Sequence, residues 1–211
     1  MTTNTTRRTF LAGAATLFAV FMATGATLAS PQKPKTEEAV LAAGCFWSME
    51  AIFEQLRGVK KVEPGYAGGS VVRPSYEAVE TGKTGHAESL RVTFDPSVIT
   101  YSDLLKVLLT VRNPTTLNKQ GTDEGPHYRS VIFYRSVAQK ATAETVIRDF
   151  TKTKAWNAPI VTAVSPYKNF YSAEAYHYDY YRNHPEQSYC KYVIAPEIEE
   201  FRTKFKALLK H

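Results

Sequence analysis

The sequence has 211 residues and two cysteines, a length that one domain with an ample core accommodates. Its formal net charge is +6, two units of which come from Arg7 and Arg8, and the remaining charges are mixed in sign along the chain. No basic tract and no internal repeat stand out, which argues against a nucleic-acid binder.

The chain opens MTTNTTRRTFLAGAATLFAVFMATGATLASPQ. Arg7 and Arg8 are the only charges before Lys33, Leu11 to Leu28 is apolar or small, and Thr27-Leu28-Ala29 offers a small-residue exit. Thr6 to Leu11 has the pattern of a twin-arginine export signal. Residues 1–29 are therefore expected to be an export signal that is removed, leaving a periplasmic protein that meets a membrane only during export. The alternative is a membrane anchor facing the periplasm, since about 18 such residues just reach across a bilayer. The threonines and glycines of the stretch make it soft for that purpose. Residues 30–36 read as a flexible leader, and residues 37–211 as a single domain.

Glu37 to Ala43 reads as a short apolar strand ending at Gly44. Cys45 to Arg57 reads as a helix, because Cys45, Met49, Ile52, Phe53 and Leu56 recur at helical spacing. Gly58 suits the left-handed position past its end. Val59 to Tyr66 looks extended. Residues 70–85 form a long loop, and a loop of that length is more often functional than idle. His86 to Phe94 reads as a strand, with Ala87, Ser89, Arg91 and Thr93 opposite Glu88, Leu90, Val92 and Phe94. Thr100 and Asp103 offer a capping-box start for a helix that reaches Val111 and stops before Asn113-Pro114. Residues 113–127 form a polar, glycine-rich loop. Ser130 to Tyr134 is a strand, Val137 to about Thr153 a helix capped by Ser136, and Ile160 to Val164 a further strand. Pro196 opens a last helix with acids early and lysines late, which suits its dipole.

The order is thus β-α-β, β-α-β, then α-β and a tail. Two βαβ halves joined strand to strand predict an α+β, two-layer, ferredoxin-like plait. A loop-rich C-terminal wrap over residues 165–195 and a terminal helix complete the expectation.

The chemistry centres on Cys45. At the first turn of a helix the unpaired N–H groups and the dipole favour an anion, so the thiol pKa is expected to fall and the thiolate to act as a nucleophile. Gly44 permits close backbone approach. Phe46 and Trp47 cannot both follow the stripe of Met49, Ile52 and Phe53, so at least one is expected to wall the Cys45 site. An even cysteine count in an exported chain also fits a structural disulfide between Cys45 and Cys190.

At these residues a family resemblance emerges. The stretches GCFWSMEAIFEQLRGV, GYAGG, PSYEAVETGKTGHAESLRVTFDP, TTLNKQGTDEGPHYRSVIFY and FYSAEAYHYDYY occur in the order found in peptide methionine sulfoxide reductase A. The resemblance runs from about Glu38 to Cys190. It implies reduction of the S epimer of methionine sulfoxide, free or in proteins, with no metal or organic cofactor. It also implies an α/β plait and a thioredoxin-like reductant as partner; a monomer is expected. Residue by residue, Cys45 resembles the family nucleophile and Glu88 the acid that protonates the sulfoxide oxygen. Tyr76 and Tyr128 are similar to the two phenols that bond that oxygen. Asp123 resembles a polar residue that helps position Cys45, and Phe46 and Trp47 the wall that receives the methyl group. Cys190 lies near the place of the recycling cysteine. Ser48 stands where many members have Gly or Cys, Arg112-Asn113-Pro114 replaces a more usual His-Asp-Pro, and His127 replaces a common Gln.

Other readings of the same residues stay open. Glu88 can be a solvated strand residue, Tyr76 and Tyr128 loop struts, and Asp123 plain turn chemistry. His86 and Glu88 as metal ligands lack a third partner, and His177 and His184 read as structural. For the whole chain, the alternatives are a scaffold stapled by a Cys45–Cys190 disulfide and a Cys–His hydrolase using His86 or His177.

Overall fold

The computed structural model describes residues 1–3 and 36–210. The chain divides into two units, Met1–Lys33 and Pro34–His211. The expected export signal lies, apart from its first three residues, outside the described residues, and every element named below belongs to the second unit.

In chain order the elements are β1 (Glu37–Ala42), α1 (Phe46–Phe53), β2 (Val59–Ala67), α2 (Tyr76–Glu80), β3 (Ala87–Phe94), α3 (Tyr101–Val111), β4 (Lys119–Gln120), β5 (Asp123–Glu124), β6 (Val131–Tyr134), α4 (Val137–Lys152), β7 (Ala163–Pro166), β8 (Phe170–Ser172), α5 (Tyr180–Asn183) and α6 (Ala195–Lys204). A six-stranded sheet has the order β7-β6-β1-β3-β2-β8, and β4 and β5 pair as a separate hairpin. β1 lies antiparallel to both β3 and β6, β2 is antiparallel to β3 and β8, and only β6–β7 is parallel. The protein is therefore a mixed α+β fold built on one sheet.

Alternation decides which strand residues face the helices. Ala39 and Leu41 of β1 and Leu90, Val92 and Phe94 of β3 join one cluster with Met49, Ile52 and Phe53 of α1, Leu104 and Leu108 of α3, and Phe201 of α6. Val40, Ala42, Ala67, Ala87, Val131 and Phe133 form a smaller cluster that also takes in Tyr167 and Phe170. Glu88 has the parity of Leu90 and Val92, so its carboxyl is carried under the start of α1 rather than out to water.

Several boundaries differ from the sequence expectation, each for a local reason. α1 ends at Phe53, one turn short of Arg57. Tighter turns close Gln55 and Leu56 onto Ile52 and Phe53, and the chain then pairs with its own C-terminus through Arg57 N–H to Leu208 O and Lys210 N–H to Gln55 O, both at 2.8 Å. Gly58, at φ +85°, therefore follows this pairing instead of the helix end. The supposed loop 70–85 contains α2, whose cap is Ser75 accepting from Ala78 N–H at 3.3 Å. The strand placed at Ile160–Val164 begins at Ala163, because Val161 N–H is already spent on Pro114 O. The C-terminal wrap contributes β8 to the sheet edge, and a π turn over Cys190–Ile194 precedes α6. The Thr100–Asp103 capping box and the Ser136 cap of α4 are present as expected.

Candidate active site

Cys45 is the N-cap residue of α1 and is 6% exposed. Gly44 before it adopts φ +77°, and a side chain there would meet Gln120 Cγ at 2.6 Å. Gly44 N–H also donates to Tyr128 O at 3.0 Å. A glycine is thus required by both backbone twist and space, and the residue before the thiol is locked to the loop that carries Tyr128.

The expected lowering of the Cys45 pKa is not found. Burial pushes the thiol well above its ordinary value, and a charge on Glu88 pushes it further. The Trp47 N–H at the helix start pulls in the opposite direction, as does Arg112, and both are outweighed. The physical reason is visible in the hydrogen bonds. The first N–H of the helix, that of Phe46, is given to Glu88 Oε2 at 3.0 Å instead of to sulfur. Glu88 is 2% exposed, and burial raises its carboxyl from 4.5 to about 8 against the pull of that N–H, with Asp123 and Glu80 adding to the rise. At pH 7 a group of that pKa is about nine-tenths protonated. The resting site therefore holds two neutral acids side by side, a thiol and a carboxylic acid whose second oxygen is free to donate.

The other residues named from the sequence come to the same place. Tyr76 starts α2, and its N–H donates to Glu174 Oε1 at 2.9 Å. Tyr128 ends the 3₁₀ turn Pro126–Tyr128. Both phenols are half-buried and held in the neutral form, first by burial and then by Glu88, and each also responds to Cys45. Asp123 sits in the β4–β5 hairpin, half-buried, and burial raises its pKa. Its Oδ2 accepts from the Tyr189 hydroxyl at 2.6 Å. Burial first, then the charges of Cys45 and Asp123, raise the Tyr189 pKa, so this phenol belongs to the surroundings of the thiol. The sequence reading missed Tyr189; it lies next to Cys190 in a tyrosine-rich run, and nothing in its spacing separates it from its neighbours.

Phe46 is buried, with ring centroids 5.9 Å from Tyr66 and 6.4 Å from Tyr76. Trp47 is half-buried, stacks on Tyr180 at 3.7 Å, and donates Nε1–H to His177 Nδ1 at 2.9 Å. His177 is fully buried and burial lowers its pKa. Its accepting Nδ1 assigns the proton to Nε2, so it orients Trp47 as a neutral ring. On the outer side of Trp47 a cavity of about 540 Å³ opens beside Glu50, Glu54, Asp179 and Arg182.

Four alternative readings fail on these contacts, the hydrolase with His177 because that ring's Nδ1 is taken by Trp47 Nε1–H. Cys45 and Cys190 are both free, so no disulfide staples the fold. His86 accepts from Gly69 N–H at 3.1 Å and meets Val71 O at 2.8 Å, so both ring nitrogens serve the 69–71 loop and neither a hydrolase nor a metal site is left to it. Glu88 is a buried residue, not a solvated one. Cys190 is fully buried in the main core, and burial raises its pKa.

A thiol at a helix start, a carboxylic acid that keeps its proton, two neutral phenols and an aromatic wall suit a thiol-based oxidoreductase acting on a polar oxygen beside an apolar group. Comparison with known proteins narrows the class. A family model described as peptide methionine sulfoxide reductase matches residues 37–209. A peptide methionine sulfoxide reductase MsrA from Thermus thermophilus is 51% identical over 174 residues, covering 82% of this chain and 98% of its own. One from Polynucleobacter asymbioticus is 47% identical over 176 residues, covering 83% and 93%. Among solved structures, Mxr1 from Saccharomyces cerevisiae in reduced form has a TM-score of 0.68 at 33% identity, covering 74% of this chain and 90% of that one. Methionine sulfoxide reductase A of Corynebacterium diphtheriae has a TM-score of 0.69 at 29% identity, covering 74% and 78%. The chain belongs to the peptide methionine sulfoxide reductase family and is an enzyme of methionine sulfoxide reduction.

Proposed function

We propose that the enzyme reduces the S epimer of methionine sulfoxide, free or in oxidised proteins, with Cys45 as nucleophile and Glu88 as acid. The observation that carries this reading is the Phe46 N–H···Glu88 bond of 3.0 Å, which seats a carboxyl of pKa about 8 at the residue next to the thiol. Glu88 gives its proton to the sulfoxide oxygen and takes up the proton of Cys45 as the sulfur attacks. The attack joins the two sulfurs, the protonated oxygen leaves as water, and water then adds to the Cys45 sulfur as the sulfur–sulfur bond breaks; methionine and a sulfenic acid remain, so that thiol plus sulfoxide becomes sulfenic acid plus thioether with every atom accounted for. A relay of this kind needs no thiolate at rest, which agrees with the raised pKa of Cys45. Tyr76 and Tyr128, kept neutral, donate to the developing oxyanion. Phe46 and Trp47 receive the methyl group, since aromatic faces suit sulfur and its substituents. Asp123, tied to Tyr189, orients Cys45.

For recycling, Cys190 condenses with the sulfenic acid to a disulfide and water, and a thioredoxin-like dithiol reduces that disulfide. Cys190 follows Tyr189, which responds to the charge of Cys45, and the π turn that begins at Cys190 is the element whose opening brings the second thiol out of the core. The scaffold is read as a ferredoxin-like plait. The antiparallel run β6-β1-β3-β2, with α1 between β1 and β2 and α3 between β3 and β6, supports that assignment. Residues 1–29 are read as a twin-arginine-type signal delivering residues 37–211 to the periplasm. The family model begins at residue 37 and leaves the leader outside it.

Purified protein, dithiothreitol and the two resolved epimers test the activity. The S epimer is converted and the R epimer is not; equal conversion of both refutes the reading, and so does full activity in Cys45→Ser.

A further inference from the structure

We propose that Arg112 is a positioning residue for this reaction: its buried guanidinium is the positive charge that holds down the cost of the transient Cys45 anion. Arg112 is the C-cap residue of α3, in extended conformation at φ −119°, and its side chain is 4% exposed. A buried cation is retained only where partners or function compensate its desolvation. Its partners are few. Nη1 donates to Glu197 Oε1 at 2.8 Å, while Nε and Nη2 are buried with no hydrogen-bond partner among the described residues.

The one hydrogen-bond partner of that guanidinium among the described residues leads to Cys45. Glu197 Oε2 takes the Ser48 hydroxyl at 2.5 Å, and Ser48 lies three residues along α1 from the thiol, on the same side of the helix. At the next residue of the chain, Asn113 N–H donates to Gln120 Oε1 at 2.9 Å, and the Gln120 side chain is the one packed against Gly44. Arg112 is thereby tied to the start of α1 through Glu197 and Ser48 by its side chain, and to Gly44 through Asn113 and Gln120 by its backbone. The ionisable groups facing the thiol are Glu88 from β3, Asp123 from β5, Tyr76 from α2, Tyr128 from the 3₁₀ turn and Tyr189 before the π turn, all neutral or negative. Among the described residues Arg112 is the cation that acts on Cys45, and it favours the anion there and on Asp123. The inference rests on Cys45 as nucleophile.

The test is timed alkylation of Cys45 by iodoacetamide in the reduced protein across pH 6–10, read by mass spectrometry of the peptide containing residue 45, alongside single-turnover reduction of the S epimer. Arg112→Gln keeps a donor for Glu197 and removes the charge. It is expected to move the alkylation midpoint up by about half a unit to one unit, which slows labelling about three- to tenfold below the midpoint. Single-turnover rate falls by a similar factor with KM unchanged, and Arg112→Lys recovers most of it. Glu197→Gln, which leaves the cation uncancelled, shifts the midpoint down and serves if Arg112→Gln does not fold. A purely structural Arg112 predicts lower melting temperature with an unmoved midpoint, and that result overturns the proposal. Intact sulfoxide reduction in Cys45→Ser is a separate outcome that removes the nucleophile assignment and the inference together.

Discussion

Replacing Glu88 with glutamine separates proton delivery from hydrogen bonding. The amide oxygen of the variant still accepts the Phe46 N–H, now made at 3.0 Å, so the start of α1 stays in place. What is lost is a proton held at about pKa 8 next to the thiol. General acids of this kind contribute about 10²- to 10⁴-fold, or about 3–5 kcal/mol of barrier. In the native enzyme, the protonated fraction falls from about nine-tenths at pH 7 to about one-tenth at pH 9, and kcat/KM is expected to follow it down. In Glu88→Gln that limb disappears and the rate is low throughout. Alkylation of Cys45 moves the other way. A charged Glu88 raises the thiol pKa, so the variant labels faster than wild type above pH 8. Methionine formed from the S epimer is quantified by chromatography in a single turnover with no external reductant, and labelling is followed in parallel. A variant within threefold of wild type, with the same pH profile, removes Glu88 from the acid role and with it the proton relay.

Glu50 is a second buried carboxyl, raised by burial first and by Glu54 and Asp179 next, to about 8. Its folded pKa lies above the unfolded value of 4.5, so the folded state keeps a proton that the unfolded state releases, and stability falls as pH rises from about 4.5 to 8. Glu88 acts with the same sign; Glu50→Gln should make the loss of melting temperature between pH 5 and pH 8 shallower, and an unchanged slope contradicts the assignment. His177→Phe keeps the ring volume and removes the acceptor for Trp47 Nε1–H, an effect of about 1–2 kcal/mol. It should raise KM for the sulfoxide several-fold more than it lowers kcat; equal loss in both argues that Trp47 does not contact substrate. Gly44→Ala combines a left-handed φ of +77° with a methyl 2.6 Å from Gln120 Cγ. Together these should cost about 2–4 kcal/mol in denaturant unfolding; a loss below 1 kcal/mol shows that the Gly44 turn relaxes freely.

The helical and strand skeleton was legible wherever a local signal existed. Thr100 and Asp103 announced a capping box, Ser136 a cap, and the parity of Leu90, Val92 and Phe94 the face to which Glu88 belongs. Illegible were the features decided by distant partners. α1 loses its last turn to pairing with Leu208 and Lys210, some 150 residues away, and β7 starts late because Val161 is claimed by Pro114. In the site, the family motifs located Cys45, Glu88, Tyr76, Tyr128 and Asp123, but Tyr189 enters through a contact across 66 positions.

The reversal at Cys45 has the same origin and alters the chemistry. A helix start favours an anion only if its N–H groups are free to meet one. Here the first of them is spent on a carboxyl 42 residues later in the chain, and the pocket that seats this carboxyl also buries the thiol. Desolvation raises both acids, so each keeps its proton at rest. For a substrate that must be protonated on oxygen while it is attacked at sulfur, that state is the useful one. A resting thiolate brings no proton, and its charge makes neighbouring Glu88 harder still to ionise. In the proposed mechanism, two neutral acids at the start of one helix hold both the nucleophile and the proton until the sulfoxide oxygen arrives to take it.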